Sequence, residues 1–112
     1  MASPPSSYKD AGSATKANIK ATRARVFAVY AVNLNAAARY FQLHNKATAP
    51  AAADTARHSW YVPTNSILIL DTAWFATEDV FDTGLGFAWS TTDTTFTDSA
   101  TASDHKTMVR YQ

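Results

Sequence analysis

The chain contains no cysteine, one glutamate, three glycines and four prolines in 112 residues. Without Cys, a disulfide scaffold, a Cys-ligated zinc site and a thiol nucleophile are all excluded. Also missing is any apolar run approaching the roughly 20 residues that a membrane helix needs, and residues 1–25 lack the apolar h-region of a signal peptide. A soluble product made in the cytoplasm is therefore the expectation, with no membrane partner. A dominant charge is absent too, since Lys and Arg number 10 against 9 Asp and Glu, for a net charge of +1.

Catalytic and cofactor motifs are equally scarce. His44, His58 and His105 are far apart in the chain and none sits in an H-E-x-x-H or similar metal spacing. No G-x-S-x-G, G-x-x-x-x-G-K-[ST] or G-x-G-x-x-G run is present. Glu78 and Asp79 are the only adjacent carboxylates, and neighbours in a strand point to opposite faces, which makes them a poor acid/base pair. Seven acids and no base occur from Asp71 to Asp104, but without the D-x-D-x-D-G spacing of a calcium loop. Asp93, Asp98 and Asp104 are thus expected in a solvated loop. The reading is of a protein that is not an enzyme and takes no metal or cofactor.

What the chain does have is small and strand-forming. Of the residues behind its 46% hydrophobic content, 22 are Ala and only 30 are bulky. A domain of this length buries roughly 65% of its unfolded surface, enough for one compact unit. Residues 1–15 are small and polar, with Pro4–Pro5 and Tyr8 as the lone aromatic, and are expected to form a flexible arm because so little apolar surface cannot offset the entropy of ordering. Residues 16–112 form the single domain.

Strand signals then recur. Arg25 to Val32 is a β-branched and aromatic run closed by Asn33-Leu34-Asn35, and Arg39 to His44 alternates up to Asn45-Lys46. Arg57 to Val62, Ser66 to Leu70, Val80-Phe81, Leu85 to Ser90 and Lys106 to Tyr111 are further strands, and Leu85, Phe87 and Trp89 share one face of theirs. Residues 47–55 and 91–104 read as loops. Ala73 to Ala76 reads as either a short strand or a crossing loop. With turn signals between them and no long amphipathic helix, these segments predict an all-β antiparallel sandwich or jelly roll of seven or eight strands.

Two segments carry a resemblance. Residues 26–50, VFAVYAVNLNAAARYFQLHNKATAP, place an Asn-x-Asn-Ala turn between a strand and a second strand closed by Asn-Lys-Ala-Thr-Ala-Pro. Residues 81–89, FDTGLGFAW, add a Thr-Gly-Leu strand ahead of an Asp/Thr-rich loop and a short terminal strand. Over residues 25–112 the chain resembles small β-sandwich virion proteins from the structural-gene modules of tailed bacteriophages. The resemblance implies a capsid decoration or cement protein, with a neck, tail or head-fibre component as the alternative. It brings no catalytic residues. The implied partners are the major capsid protein or other virion structural proteins, and the implied location is the virion after synthesis in the host cytoplasm.

Charge and face patterns supply the candidate interaction residues. Residues 1–25 carry Lys9, Lys16, Lys20, Arg23 and Arg25 against Asp10, and the remainder is net acidic, as suits a basic arm lying on an acidic neighbour or another copy of the same body. These cations are too dispersed, with too little aromatic interleaving, to favour nucleic acid. Val26 to Val32 and Ile67-Leu68-Ile69-Leu70 do not alternate, so the second face of each strand needs a cover. That cover is either a loop or arm of the same chain or a neighbouring subunit, the latter implying a homo-oligomer with Ile67, Leu68, Ile69 and Leu70 as a shared apolar surface. Trp60 and Trp74 are the candidates for stacking on a glycan, whereas Phe87 and Trp89 read as core.

Overall fold

The computed structural model describes residues 6–75 and 79–112. Glu78, Pro4 and Pro5, invoked above, lie outside the described residues. Among the described residues, nine strands form two antiparallel sheets that pack face to face, the arrangement of a β-sandwich. Sheet A has the order β1 (Ser6–Asp10), β9 (His105–Tyr111), β3 (Ala24–Asn33), β6 (Ser66–Leu70), with the short β7 (Asp79–Phe81) paired to the other half of β3. Sheet B has the order β2 (Lys16–Lys20), β8 (Leu85–Ser90), β4 (Arg39–His44), β5 (His58–Val62).

Between the sheets lie Phe87 and Trp89, which alternation sets on one face, together with Phe41 of β4. Phe41 meets Trp89 edge-on at 5.1 Å and stacks with Phe87 at 6.1 Å, against Val26, Val29, Ala31 and Val109 of sheet A. Trp89 donates its indole N–H to Thr107 Oγ1 at 2.9 Å and lies flat on the buried His105 ring at 4.3 Å, so its polar edge is satisfied inside the core.

Residues 1–5 of the expected flexible arm lie outside the described residues, and over residues 6–15 the structure differs from that expectation. Ser6–Asp10 is an edge strand of sheet A in continuous register with β9, from Ser6 opposite Tyr111 to Asp10 opposite Thr107. Tyr8 turns inward onto Phe87 at 5.4 Å. The buried Asp10 carboxylate accepts the backbone N–H groups of Gly12, Ser13 and Ala14 and the Ser13 hydroxyl. Gly12 adopts φ 106°, a conformation that side-chain-bearing residues rarely reach, and the turn carries the chain from sheet A into β2 of sheet B. Backbone pairing and one inserted ring, neither visible in composition, order this stretch.

A bulge explains why Val26 to Val32 does not alternate. The register of β3 against β9 shifts between Val26 and Ala28, which resets the inward phase from Ala24 and Val26 to Val29 and Ala31. Ile67 to Leu70, by contrast, does alternate in space: Leu70 is buried and Leu68 packs on the core, while Ile67 and Ile69 face outward.

Strand β8 is buried on both faces because two loops cover the outside of sheet B. Pro50 lies against Gly86, where an added Cβ would meet its ring at 3.1 Å. Phe96 is buried beside His44, and the loops pair with each other through Ala53 N–H to Phe96 O and Phe96 N–H to Asp54 O, both 2.9 Å. Gln42 donates to Thr92 O and Thr95 O from beneath. Residues 91–100, read as a solvated loop, are thus a fitted cover anchored by one aromatic.

Candidate interaction surface

Among the described residues, sheet A has no such cover. In an antiparallel sheet, directly opposed residues share a face, so the register defines what its outer side displays. Lys9, Met108, Tyr30 and Ile69 form one row across four strands, and Lys106, Val32 and Ile67 form the next. Arg110 lies between Ser7 and Ala28. Ile69 is 65% exposed, Ile67 52% and Tyr30 39%. Lys9, Lys106 and Arg110 are exposed on the β1–β9 side, and none of the strands of sheet A sets a carboxylate on this face. The surface is half apolar and half cationic, which suits an acidic partner bearing apolar groups.

Of the apolar residues expected to be shared, Ile67 and Ile69 belong to this surface, and Leu68 and Leu70 do not. Sequence reasoning missed Tyr30, Met108, Lys106 and Arg110, because only pairing between distant strands brings them together.

The five cations assigned to the arm do not form one surface. Lys9 joins the outer face of sheet A. Lys16 lies over the Phe96 ring at 5.5 Å on the opposite side of the sandwich. Arg23 pairs loosely with Asp82 at 3.7 Å, both exposed, a contact worth little in water. Lys20, Arg23 and Arg25 line an open hollow of about 240 Å³ beside Gln112.

Trp60 and Trp74 do come together, at 5.4 Å and edge to face. Strand pairing opposite Phe41 aims Trp60 into the sandwich at its β5 margin, and the turn at residues 72–75 lays Trp74, 48% exposed, over it. His58 stacks on Trp60 at 5.3 Å and bonds Asp79 at 2.6 Å, and Asp79 also receives Arg57 at 3.1 Å. Trp74 is therefore the more exposed of the two.

The remaining polar candidates serve structure. Asp71 accepts the backbone N–H groups of Ala73 and Trp74, Asp98 that of Ala100, and Asp104 the Asn35 side-chain amide. Lys46 bonds the Asp54 carboxylate at 2.5 Å and holds it below the usual carboxylate range. Burial pushes the His44 imidazole down, and pushes His105, which bonds Ser99 Oγ at 3.0 Å, down to about 4. Among the described residues no group of three or more His, Asp or Glu is placed to hold a metal ion, and no helix is long and apolar enough to cross a membrane. No protein-family model, curated protein or solved structure matches the chain.

Proposed function

We propose that the chain is a non-enzymatic structural protein of a tailed-phage virion, a capsid decoration or cement protein that attaches to the assembled shell. The observation that carries this reading is the uncovered outer face of sheet A, where Tyr30, Ile67 and Ile69 stand exposed beside Lys9, Lys106 and Arg110. The resemblance of residues 25–112 to small virion sandwiches supplies the partner class. Attachment costs each copy its translational and rotational freedom, and a shell that repeats its acidic sites offsets that cost where linked copies engage neighbouring sites.

The experiment is attachment and counting. Purified protein mixed with particles lacking it is expected to co-sediment at hundreds of copies per particle. A dozen copies or fewer would reassign it to the neck or tail, and no co-sedimentation would remove the virion reading. A glycan-recognition reading rests on one observation, the exposed Trp74 ring beside Arg57, His58 and Asp79. It requires host polysaccharide to bind and Trp74→Ala to abolish binding without unfolding.

A further inference from the structure

The two sheets have free edges, and four of the five strands that form them carry a feature that discourages pairing with another chain. β1 bears Lys9; β2 bears Lys16 and Lys20 and has a register shift between Asn18 and Lys20; β7 is three residues long and begins at Asp79. β5 is flanked by the Arg57–Asp79 ion pair and Pro63, with Trp74 packed on Trp60. Charge, bulges, brevity and proline are the usual devices by which edge strands avoid edge-to-edge association. β6, Ser-Ile-Leu-Ile-Leu, has none of them: it is uncharged, without Pro or Gly, and paired to β3 in unbroken register over all five residues. Among the described residues no backbone bond joins its outer side to another segment.

We infer that β6 pairs with β6 of a second copy of this chain, antiparallel and about a two-fold axis at Leu68. That register is self-complementary. It sets Ile67 opposite Ile69 of the partner subunit on the outer face, Leu68 opposite Leu68 of the partner subunit, and Ser66 opposite Leu70 of the partner subunit, with no charge opposed to a like charge. The four outward isoleucines then cover one another, which accounts for two side chains left more than half exposed in one copy.

Charge decides between this and the other way two copies could meet. Face-to-face packing of two A sheets brings Lys9, Lys106 and Arg110 of both copies into one interface that contains no carboxylate, an arrangement that leaves every cation unpaired. Edge pairing keeps the β9 strands of the two copies about 24 Å apart at ordinary strand spacing, roughly three Debye lengths at physiological salt. The joined sheet runs β1-β9-β3-β6 and then the same order reversed. It presents one apolar centre between two cationic flanks.

The inference stands apart from the virion reading, and its test uses purified full chain alone. Sedimentation equilibrium is expected to give twice the 12.2 kDa chain mass. Ile67→Lys with Ile69→Lys, both at exposed positions, is expected to give a folded monomer by far-UV circular dichroism, and Met108→Lys, on the same face but two strands from the edge, a dimer. The backbone amides of Ser66–Leu70 are expected to gain at least tenfold hydrogen-exchange protection in wild-type protein as concentration rises through dimerisation. A monomeric wild type, a dimer that survives both lysines, a dimer that Met108→Lys dissociates, or unchanged exchange in β6 would each overturn it.

Discussion

His105 shows what a single buried side chain contributes and withholds. Its ring is inaccessible, stacked on Trp89 and bonded to Ser99, so the neutral form fits and the charged form does not. Because burial lowers its pKa from 6.5 to about 4, the unfolded chain takes up the proton first as pH falls. Stability from this group is complete above pH 6.5 and is lost between 6.5 and 4, on the order of 3 kcal/mol in all. His44, lowered by burial as well, adds a loss of the same sign. Urea unfolding at pH 7, 6, 5 and 4 is expected to show this decline, with a shallower pH slope in His105→Gln whatever that variant costs at pH 7. The two asparagines of the Asn33-Leu34-Asn35 turn act differently. Asn33 donates to Ala37 O, Val62 O and Pro63 O, and Asn35 to Thr101 Oγ1 and Asp104 Oδ2. A sequence signal for a turn thus proves to be a buried amide hub tying three chain segments together.

At the scale of elements, strands of bulky alternating residues were legible and strands held mainly by their neighbours were not. β4 and β8 fall where alternation puts them, and β6 where its continuous run of bulky residues does, because each supplies its own inward side chains. β1 and β2, SSYKD and KANIK, carry one large inward apolar residue apiece, Tyr8 and Ile19, and owe their order to ladders with β9 and β8. It follows that β1 is part of the folded unit. Tyr8→Ala is expected to lower unfolding free energy by about 2 kcal/mol, the range of a truncated, partly buried ring; a midpoint in urea that does not move would restore the free-arm expectation. The cover over sheet B was missed for a related reason. Phe96 is the one buried aromatic of residues 91–100, and hydrogen bonds with Gln42 and Ser90 add to its attachment, which no apolar pattern reports.

For the whole molecule, the two sides of the sandwich have opposite character. One sheet is covered by loops that expose Asp93 and Asp98, and the other is bare, apolar and cationic. A chain of net charge +1 can therefore present two surfaces of different character. On the proposed attachment to an acidic shell surface, Lys106→Glu with Arg110→Glu is expected to weaken co-sedimentation at least about tenfold at low salt and to remove most of its salt dependence, as loss of steering and pairing charges does. Equal attachment of variant and wild type would move the contact off sheet A.

The sequence by itself determined the class of fold, because strand propensity and alternation are local and the absence of any long amphipathic helix leaves few other architectures. It also marked part of the aromatic core, since Phe87 and Trp89 sit on one face of a plainly alternating strand. Only the tertiary structure decided which faces are covered. Exposure of Ile67 and Ile69, the gathering of Lys9, Lys106 and Arg110, and the conversion of an expected arm into an edge strand all depend on pairing between residues as far apart as Ser6 and Tyr111. Such pairing is a property of the sheet, and no local stretch of chain encodes it.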